Sequence, residues 1–288
     1  MRTLIKKAYA KINIGLEILN KRMDLYHNIN TVYSRICLHD TITISDHETF
    51  VFESDDHLDI EPTLNLVHKA AMMFRNTFNI RDFDIKISLN KSIPSGAGLG
   101  GGSTDAASTL LGLAEFYDIE VQDEHLFRMA LKLGMDVPYF LYEGSAVASG
   151  RGEQLEYFDY KVPYHILVVY PAIHIPTPWA YKNLLNYRMN SQASDLKSIL
   201  LDSVDDGSIL KEMVLNDFEE TVHTKFPVLR NLKDQLYSLG AIFALMSGSG
   251  SAIYAFFESR DEFIDAYDHF SQIHSFQVFS CSGNSSNE

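Results

Sequence analysis

The chain has 288 residues, of which 46% are hydrophobic and 22% are charged, and its formal net charge is −14 at pH 7. This composition is typical of a globular protein with one large or two small domains, and no run of residues approaches the roughly 18 apolar positions of a membrane span. The acidic balance argues against a nucleic-acid partner, which would favour a basic surface.

The N-terminus and the cysteines predict a cytoplasmic location. Residues 1–7 contain no apolar segment of the kind that a secretory signal requires. Cys37 and Cys281 lie far apart in sequence, which favours two thiols in a reducing cytosol over a disulfide. We therefore expect a cytoplasmic protein that binds no membrane.

The first half of the chain alternates between strand and helix patterns. Period-two alternation and apolar runs predict strands over residues 8–20, 32–44, 50–53 and 83–89. Helical spacing of apolar residues predicts helices over residues 65–78, 103–117 and 124–133, and Gly134 ends the last of them. The helix over 103–117 is rich in small residues, which allows close packing against its neighbours.

The second half of the chain predicts a different arrangement. Residues 147–155 are rich in glycine and charge, and we place a domain boundary near residue 160. The elements that follow are a strand at 165–170, several helices between 178 and 239, strands at 242–246 and 252–257, a helix at 261–270 and a strand at 276–279. Apart from the additional helices this order is β-α-β-β-α-β, the ferredoxin-like arrangement. The prediction is an α+β protein with domains over 1–160 and 161–281 and a disordered tail over 282–288.

The most informative segment is a glycine-rich loop within residues 94–107. Five glycines fall within the seven positions 96–102, and Ser103 and Thr104 follow where a helix is predicted to begin. Glycines let consecutive backbone N–H groups turn toward one point, and a helix N-terminus adds free donors and partial positive charge. The segment therefore predicts an anion site, and the usual anion is phosphate.

Two common phosphate motifs do not account for this loop. A Walker loop ends in Gly-Lys-Ser/Thr, but Gly102 precedes Ser103 here and no lysine lies between Lys91 and Lys132. The GxGxxG spacing at 96–101 fits the dinucleotide fingerprint, yet no acidic residue ends a strand about twenty positions later. A glycine-rich hairpin that binds nothing is disfavoured because the segment is longer than a hairpin loop and leads into a helix.

Three segments resemble the motifs of the GHMP kinases, the superfamily of galactokinase, homoserine kinase and mevalonate kinase. The glycine-rich loop resembles the second motif at every position of its pattern. Ala-Tyr-Ala-Lys-Ile-Asn-Ile-Gly-Leu at 8–16 resembles the first motif, and Met-Ser-Gly-Ser-Gly-Ser-Ala at 246–252 resembles the third. The resemblance implies a two-domain GHMP kinase fold, with an N-terminal nucleotide-binding domain, a C-terminal ferredoxin-like domain and the active site in the cleft between them.

Four further segments resemble one family within that superfamily, the 4-diphosphocytidyl-2-C-methyl-D-erythritol kinases. They are Lys-Arg-Met-Asp-Leu-Tyr-His at 21–27, Gly-Met-Asp-Val-Pro at 134–138, Thr-Pro at 177–178 and Asn-Asp-Phe-Glu at 216–219. Leu25 departs from the family pattern, which has glycine there, so the turn at 24–25 is expected to need another conformation. The resemblance implies that ATP phosphorylates the 2-hydroxyl of the cytidyl substrate in the non-mevalonate isoprenoid pathway.

The catalytic residues that this resemblance implies are Lys11 and Asp136. A carboxylate can accept the proton of the attacking alcohol, and a neighbouring lysine can stabilise the developing charge. Without the resemblance, Asp136 is a capping residue after a helix-ending glycine, and Lys11 is an exposed lysine on the polar side of a strand.

The resemblance also implies the residues that hold ATP. The phosphates would contact the loop formed by Pro94, Ser95, Gly96, Ala97, Gly98, Leu99, Gly100, Gly101, Gly102, Ser103 and Thr104. The hydroxyls of Ser103 and Thr104 can reach phosphate or Mg²⁺, while no acid near the loop is a clear metal ligand. Asn65 would lie near the adenine, with a plain helix N-cap as the alternative.

The acceptor is expected to carry a cytidine diphosphate group. Tyr26 and Tyr181 are candidate stacking rings for the base, and His27 can offer hydrogen bonds to its edge. Asn13, Gly248 and Ser249 complete the implied substrate contacts. The sequence leaves two alternatives open: a GHMP kinase acting on homoserine, mevalonate or phosphomevalonate, and a catalytically silent regulator that binds ATP. The protein is expected to be a monomer or a homodimer.

Overall fold

The computed structural model describes residues 2–55, 61–185, 192–204 and 206–282. Its strands are β1 (Thr3–Lys21), β2 (His27–Asp46), β3 (Val51–Ser54), β4 (Ile85–Asn90), β5 (Ser145–Ser149), β6 (Gln154–Phe158), β7 (His165–Tyr170), β8 (Phe243–Met246), β9 (Ile253–Phe257) and β10 (Gln277–Ser282). Its helices are α1 (Leu66–Thr77), α2 (Gly101–Phe116), α3 (Asp123–Leu133), α4 (Thr177–Lys182), α5 (Leu196–Asp202), α6 (Ser208–Met213), α7 (Phe218–Lys225), α8 (Pro227–Ser238) and α9 (Arg260–Ser271). Short 3₁₀ helices cover Pro62–Leu64 and Val137–Leu141.

Two compact units interleave along the chain. The first comprises the residues up to 10, 38–95 and 100–143, and the second comprises 11–37, 96–99 and the residues from 144 onward. Strands β1 and β2 contribute residues to both units. Because the units interleave, they do not correspond to two consecutive segments, and the domain boundary near residue 160 stays a prediction.

The first unit combines a small sheet with three helices. Strand β4 pairs antiparallel with residues 41–46 of β2 and parallel with β3. Helix α1 packs against α2 and α3. The small residues of α2 permit close packing, as predicted: a Cβ atom at Gly112 would lie 2.9 Å from Ile44 Cδ1. Ala106 and Ala107 of the same helix are fully buried.

The second unit contains a four-stranded antiparallel sheet in the order β10-β7-β9-β8. Helix α8 packs against β8 and β9, and α9 packs against β7, β9 and β10. Leaving aside α4 to α7, the chain order is β7-α8-β8-β9-α9-β10, so the predicted ferredoxin-like arrangement is confirmed.

A hairpin that the sequence did not predict also belongs to the second unit. Strands β5 and β6 pair antiparallel, and β5 pairs with residues 31–33 of β2. Gly150 and Gly152 adopt positive φ between the two strands, which explains the glycine-rich composition. The buried positions of β5 include Ala146 and Ala148, and such small residues give a weak strand pattern.

The remaining expectations concern thiols, membrane spans and the tail. Cys37 and Cys281 are not joined in a disulfide, as predicted. In the described part of the chain, no helix has the length and apolar character needed to cross a membrane. Ser282, the first residue of the predicted tail, ends β10, and residues 283–288 lie outside the described residues.

Candidate active site

The glycine-rich loop uses left-handed backbone conformations to reach the start of α2. Gly96, Gly98 and Gly100 have φ angles of 71°, 84° and 74°, a region that glycine occupies at no steric cost. Gly100 is the N-cap residue of α2, and the helix begins at Gly101.

The predicted helix start at Ser103 is therefore wrong by two residues. The left-handed Gly100 serves as the N-cap without a side-chain hydrogen bond, so no Ser or Thr is needed at that position. The N–H groups of a helix's first turn lack partners within the helix, and Thr104 N is the first to be bonded, at 2.9 Å to Gly100 O. The free donors expected at this N-terminus are those of Gly101, Gly102 and Ser103.

Two apolar residues of the loop, Ala97 and Leu99, anchor it to the protein. The side chains of Ala97 and Leu99 are buried. Their carbonyl groups accept hydrogen bonds from Ala252 N and Lys11 N respectively, each at 3.0 Å. Both residues can therefore bind an anion only through their backbone N–H groups.

The loop's hydroxyl groups differ in exposure. Ser103 is half-buried, whereas Thr104 is buried with 2% of its surface exposed. Of the two predicted hydroxyl groups, Ser103 is the accessible one. Pro94 and Ser95, which precede the glycines, are also half-buried.

Lys11 belongs to the second unit and is buried in the folded chain. Its side chain is only 3% exposed, which excludes the alternative of an ordinary exposed lysine. The ammonium group donates to Asn13 Oδ1 and, at 3.2 Å, to Gly98 O. It also lies 5.0 Å from the centre of the Tyr33 ring. Burying an ammonium group is costly, so these contacts indicate a position that the fold maintains.

Asn13 joins the first and third motifs. Its backbone N–H donates to Ser247 Oγ at 3.2 Å, and its Nδ2 donates to Thr31 Oγ1 at 3.0 Å. Ser247 Oγ in turn donates to Gly98 O at 2.9 Å. A Cβ atom at Gly248 would lie 3.4 Å from Asn13 Oδ1. The structure thus brings the predicted residues Lys11, Asn13 and Gly248 together.

The predicted base-binding residues line a cavity of about 530 Å³. It is lined by Lys21, Leu25, Tyr26, His27, Thr177, Pro178, Tyr181 and Lys182. The His27 and Tyr181 rings stack with an interplanar angle of 9° and a centroid distance of 5.4 Å. Burial lowers the pKa of His27, and the positive charge of Lys21 lowers it further, so the neutral imidazole is favoured.

Asp136 and Asn65 both precede helices but differ in how they contact them. Asp136 precedes the helix Val137–Leu141, is half-buried and makes no capping hydrogen bond to it. Asn65 does cap α1, because its Oδ1 accepts a hydrogen bond from Val67 N at 2.9 Å. Its contact with adenine stays a prediction.

Comparison with known proteins places the chain in a family. Residues 65–144 match the model of the GHMP kinase N-terminal domain, and residues 200–273 match that of the GHMP kinase C-terminal domain. The chain is 40% identical over 263 residues to the 4-diphosphocytidyl-2-C-methyl-D-erythritol kinase of Chlorobaculum parvum, covering 90% of this chain and 91% of that protein. It is 42% identical to the protein of that name from Chlorobium phaeobacteroides, covering 90% of each.

The chain belongs to the 4-diphosphocytidyl-2-C-methyl-D-erythritol kinase family of GHMP kinases.

Solved structures agree with this placement. A crystal structure of 4-(cytidine 5'-diphospho)-2C-methyl-D-erythritol kinase aligns with a TM-score of 0.82 and 30% identity, covering 98% of this chain and all of the other. The mevalonate kinase of Methanococcus jannaschii aligns with a TM-score of 0.71 but only 16% identity, covering 98% of each chain. That second likeness shows a shared GHMP fold and nothing about the acceptor.

The first unit also contains a buried cluster of charged residues that the sequence did not predict. Lys91 forms ion pairs with the buried carboxylates of Asp40 and Asp105, at 2.8 Å for Asp105. Burial raises the pKa of Asp105 well above its ordinary value. Burial also disfavours the charged form of Lys91, but the two carboxylates outweigh it and raise its pKa. A Cβ atom at Gly101 would lie 3.2 Å from Lys91 Nζ, so this cluster supports the first turn of α2.

Arg151, a residue with no predicted role, contacts the segment 21–27, one of the four that resemble the 4-diphosphocytidyl-2-C-methyl-D-erythritol kinases. The guanidinium group of Arg151 lies 5.1 Å from the centre of the Tyr26 ring, a cation–π contact. Gly150 and Gly152 flank it, and this short glycine-arginine-glycine run was the available signal. Tyr26 itself is 56% exposed.

Leu25 keeps the backbone conformation that glycine favours. Its φ angle is 68°, and its N–H donates to Arg22 O at 3.2 Å to close the turn. The turn is therefore left-handed at Leu25 and accommodates leucine, and the expectation that it differs from the family's turn stays a prediction. The side chain is 75% exposed, so it avoids clashes with its neighbours.

Proposed function

We propose that this protein transfers the γ-phosphate of ATP to the 2-hydroxyl group of 4-diphosphocytidyl-2-C-methyl-D-erythritol, in the non-mevalonate isoprenoid pathway. The observation that carries the proposal is the cavity lined by Tyr26, His27 and Tyr181 together with Lys21 and Lys182. Flat aromatic and imidazole rings fit a nucleobase, and the two ammonium groups fit an anionic diphosphate. Homoserine and mevalonate have no such base. Relatives at about 40% identity carry the name of the same enzyme.

The base would be held by the aromatic side chains of this cavity. Stacking of a base on an aromatic ring contributes about 1–3 kcal/mol. His27 and Tyr181 already stack on each other, so the base would use the outer face of a ring or displace His27. A neutral His27 offers one N–H donor and one nitrogen acceptor, which suits the mixed hydrogen-bonding edge of cytosine. Gly248 and Ser249 would contact the acceptor from the third motif.

The triphosphate of ATP would bind to the N-terminus of α2. The free N–H groups of Gly101, Gly102 and Ser103 and the helix dipole favour an anion there. Asn65 would lie near the adenine, with its Oδ1 engaged in the cap of α1 and its amide NH₂ group left as the donor.

The chemical step would be a direct in-line transfer without a covalent enzyme intermediate. Asp136 would accept the proton of the attacking hydroxyl, a contribution of about 10²–10⁴-fold. Lys11 would stabilise the negative charge on the attacking and transferring oxygens, since it is a buried cation held by Asn13 and Gly98.

The described residues offer magnesium few ligands of their own, so the nucleotide would supply most of its coordination. Among the described residues, no group of three or more His, Cys, Asp or Glu side chains could hold a metal ion. The phosphates, water and the accessible hydroxyl of Ser103 would therefore surround Mg²⁺, an ion that prefers oxygen ligands and keeps several waters. When bound, it would neutralise charge on the phosphates.

The test is release of ADP from Mg-ATP by the purified protein with different acceptors. We expect strong stimulation by 4-diphosphocytidyl-2-C-methyl-D-erythritol and none by mevalonate or homoserine. Stimulation by either control compound would replace the acceptor but keep the kinase. ATP binding without turnover on any acceptor would favour a silent regulator. A cytoplasmic location and a monomeric or homodimeric state stay predictions of the sequence.

A further inference from the structure

The segment Asn-Asp-Phe-Glu at 216–219 resembles the kinase family, but the resemblance implies no function for its residues. It runs parallel to β1 at Leu16. Leu16 N donates to Leu215 O at 2.8 Å, Asp217 N donates to Leu16 O at 2.9 Å, and Ile18 N donates to Asp217 Oδ2 at 2.7 Å. The segment is thus attached to the strand that carries Lys11 and Asn13.

The side chain of Asn216 is directed at the turn of the third motif. Its Nδ2 donates to Met246 O at 2.7 Å and to Gly248 O at 2.8 Å, the carbonyl groups on either side of Ser247. Its Oδ1 accepts from Phe218 N at 3.0 Å. The residue is 4% exposed, and both donors of its amide are used on this one turn.

Glu219 contacts the same turn at Met246, the first residue of the turn. Its Oε1 accepts from Met246 N at 2.9 Å, and its Oε2 accepts from Lys233 Nζ at 2.6 Å. Three hydrogen bonds from two side chains of the 216–219 segment therefore fix the backbone of residues 246–248.

That turn contacts the residues expected to bind the acceptor. Ser247 Oγ links Asn13 N to Gly98 O. Ser249 Oγ lies 3.0 Å from Thr177 Oγ1, which lines the aromatic cavity. A displacement of the turn would therefore change the contacts of Ser247 and Ser249 at the same time.

We propose that Asn216 is a positioning residue for the acceptor, acting with Glu219 through the turn at 246–248. The proposal rests on the proposed function for its kinetic consequence. Loss of the Asn216 amide should raise KM for the cytidyl acceptor about ten-fold, which corresponds to about 1.4 kcal/mol. The KM for ATP should change less, because the turn contacts the ATP loop only at Gly98, whereas Gly248 and Ser249 themselves belong to the expected acceptor contacts.

The experiment compares Asn216→Ala and Asn216→Asp with a matched control, Asn30→Ala. Asn30 is a second buried asparagine of the same unit, and its Nδ2 also donates two hydrogen bonds, to Glu17 Oε2 at 2.8 Å and Ser194 O at 2.9 Å. Neither partner lies in the turn. Kinetic constants for both substrates and the thermal unfolding midpoint would be measured for each variant.

A second pair of variants tests the part played by Glu219. Glu219→Gln keeps an oxygen acceptor for Met246 N, whereas Glu219→Ala removes it. We expect Glu219→Ala to raise the acceptor KM more than Glu219→Gln, whose single amide oxygen can accept from Met246 N or Lys233 Nζ but not from both. Equal KM values for these two variants would contradict a role through Met246 N.

Hydrogen exchange of the ligand-free protein gives a readout that is independent of catalysis. We expect peptides that cover residues 246–252 to exchange about ten-fold faster in Asn216→Ala than in Asn30→Ala. Unchanged exchange and unchanged acceptor KM at equal stability would overturn the proposal and leave Asn216 a purely structural residue. If the wild-type protein phosphorylates no cytidyl acceptor, the proposed function fails, and the exchange result still decides whether Asn216 fixes the turn.

Discussion

The backbone of Gly98 lies so close to Ser247 that a Cβ atom at Gly98 would be 2.0 Å from the Ser247 carbonyl oxygen. The obstructing atom belongs to the backbone and cannot rotate away. This approach joins the second motif to the third within the second unit, and it explains why the loop needs glycine at this position.

Replacing Gly98 by alanine should therefore destabilise the protein. The φ angle of 84° adds strain for any residue with a Cβ atom. We expect the free energy of unfolding to fall by about 2–4 kcal/mol. Gly102→Ala is the matched control, since a Cβ atom there would lie 3.4 Å from Leu66 Cδ1, an ordinary contact. Urea unfolding of both variants measures the difference, and equal losses would contradict the crowding argument.

Leu25→Gly should stabilise the turn at residues 22–26. A left-handed non-glycine residue costs about 1–2 kcal/mol, and the added flexibility of glycine in the unfolded chain offsets about 0.5–1 kcal/mol. The net expectation is a gain of about 0.5–1 kcal/mol in the free energy of unfolding. Leu25→Ala keeps the Cβ atom and should show no such gain, so equal stabilities of the two variants would argue against strain at this turn.

The imidazole of His27 should titrate below its ordinary pKa of about 6.5. Burial and the nearby Lys21 both disfavour its protonated form. Because the folded pKa is lowered, the stability that the neutral ring contributes is present above pH 6.5 and is lost as the pH falls below it. Acceptor binding should weaken in the same direction.

Nuclear magnetic resonance of the His27 ring protons measures this titration. Lys21→Met should move the midpoint upward toward the ordinary value, because it removes the nearby positive charge. Lys182→Met is the control, since Lys182 lines the same cavity but does not contribute to the shift. A midpoint above 6.5 in the wild-type protein would be inconsistent with this environment.

Lys11→Met should lower the catalytic rate without lowering the stability of the fold. Methionine has nearly the same length and removes a buried charge, so the thermal unfolding midpoint should be kept or raised. Loss of the ammonium group should lower kcat by about 10²–10³-fold. Lys7→Met, at an exposed position of the same strand, should leave kcat unchanged. A Lys11→Met variant with normal kcat would remove Lys11 from the mechanism.

Most of the helices and strands and the glycine-rich loop could be predicted because the patterns that indicate them involve residues close together in sequence. The glycine-rich loop, the spacing of apolar residues in α1 and α3, and the alternation in β1 each depend on neighbouring positions. The ferredoxin-like order of β7 to β10 followed from strands rich in β-branched and aromatic residues, such as Ile166 and Phe256.

What the sequence could not predict depends on contacts between distant residues. The cluster of Lys91 with Asp40 and Asp105 joins a strand, a loop and a helix, and each residue alone is an ordinary charged side chain. Asn216 likewise gains its role only when the fold brings it to Met246 and Gly248. Helix α2 begins two residues before the predicted start because a left-handed glycine can replace a Ser or Thr cap.

The most direct test of the whole account is identification of the reaction products by ³¹P nuclear magnetic resonance, for the wild-type protein and Asp136→Asn in parallel. With Mg-ATP and 4-diphosphocytidyl-2-C-methyl-D-erythritol, the wild-type protein should form one new phosphomonoester for each ADP. Asp136→Asn should still bind ATP but should form this product about 10²–10⁴-fold more slowly. Release of ADP without a phosphorylated acceptor, or full activity of Asp136→Asn, would contradict the account.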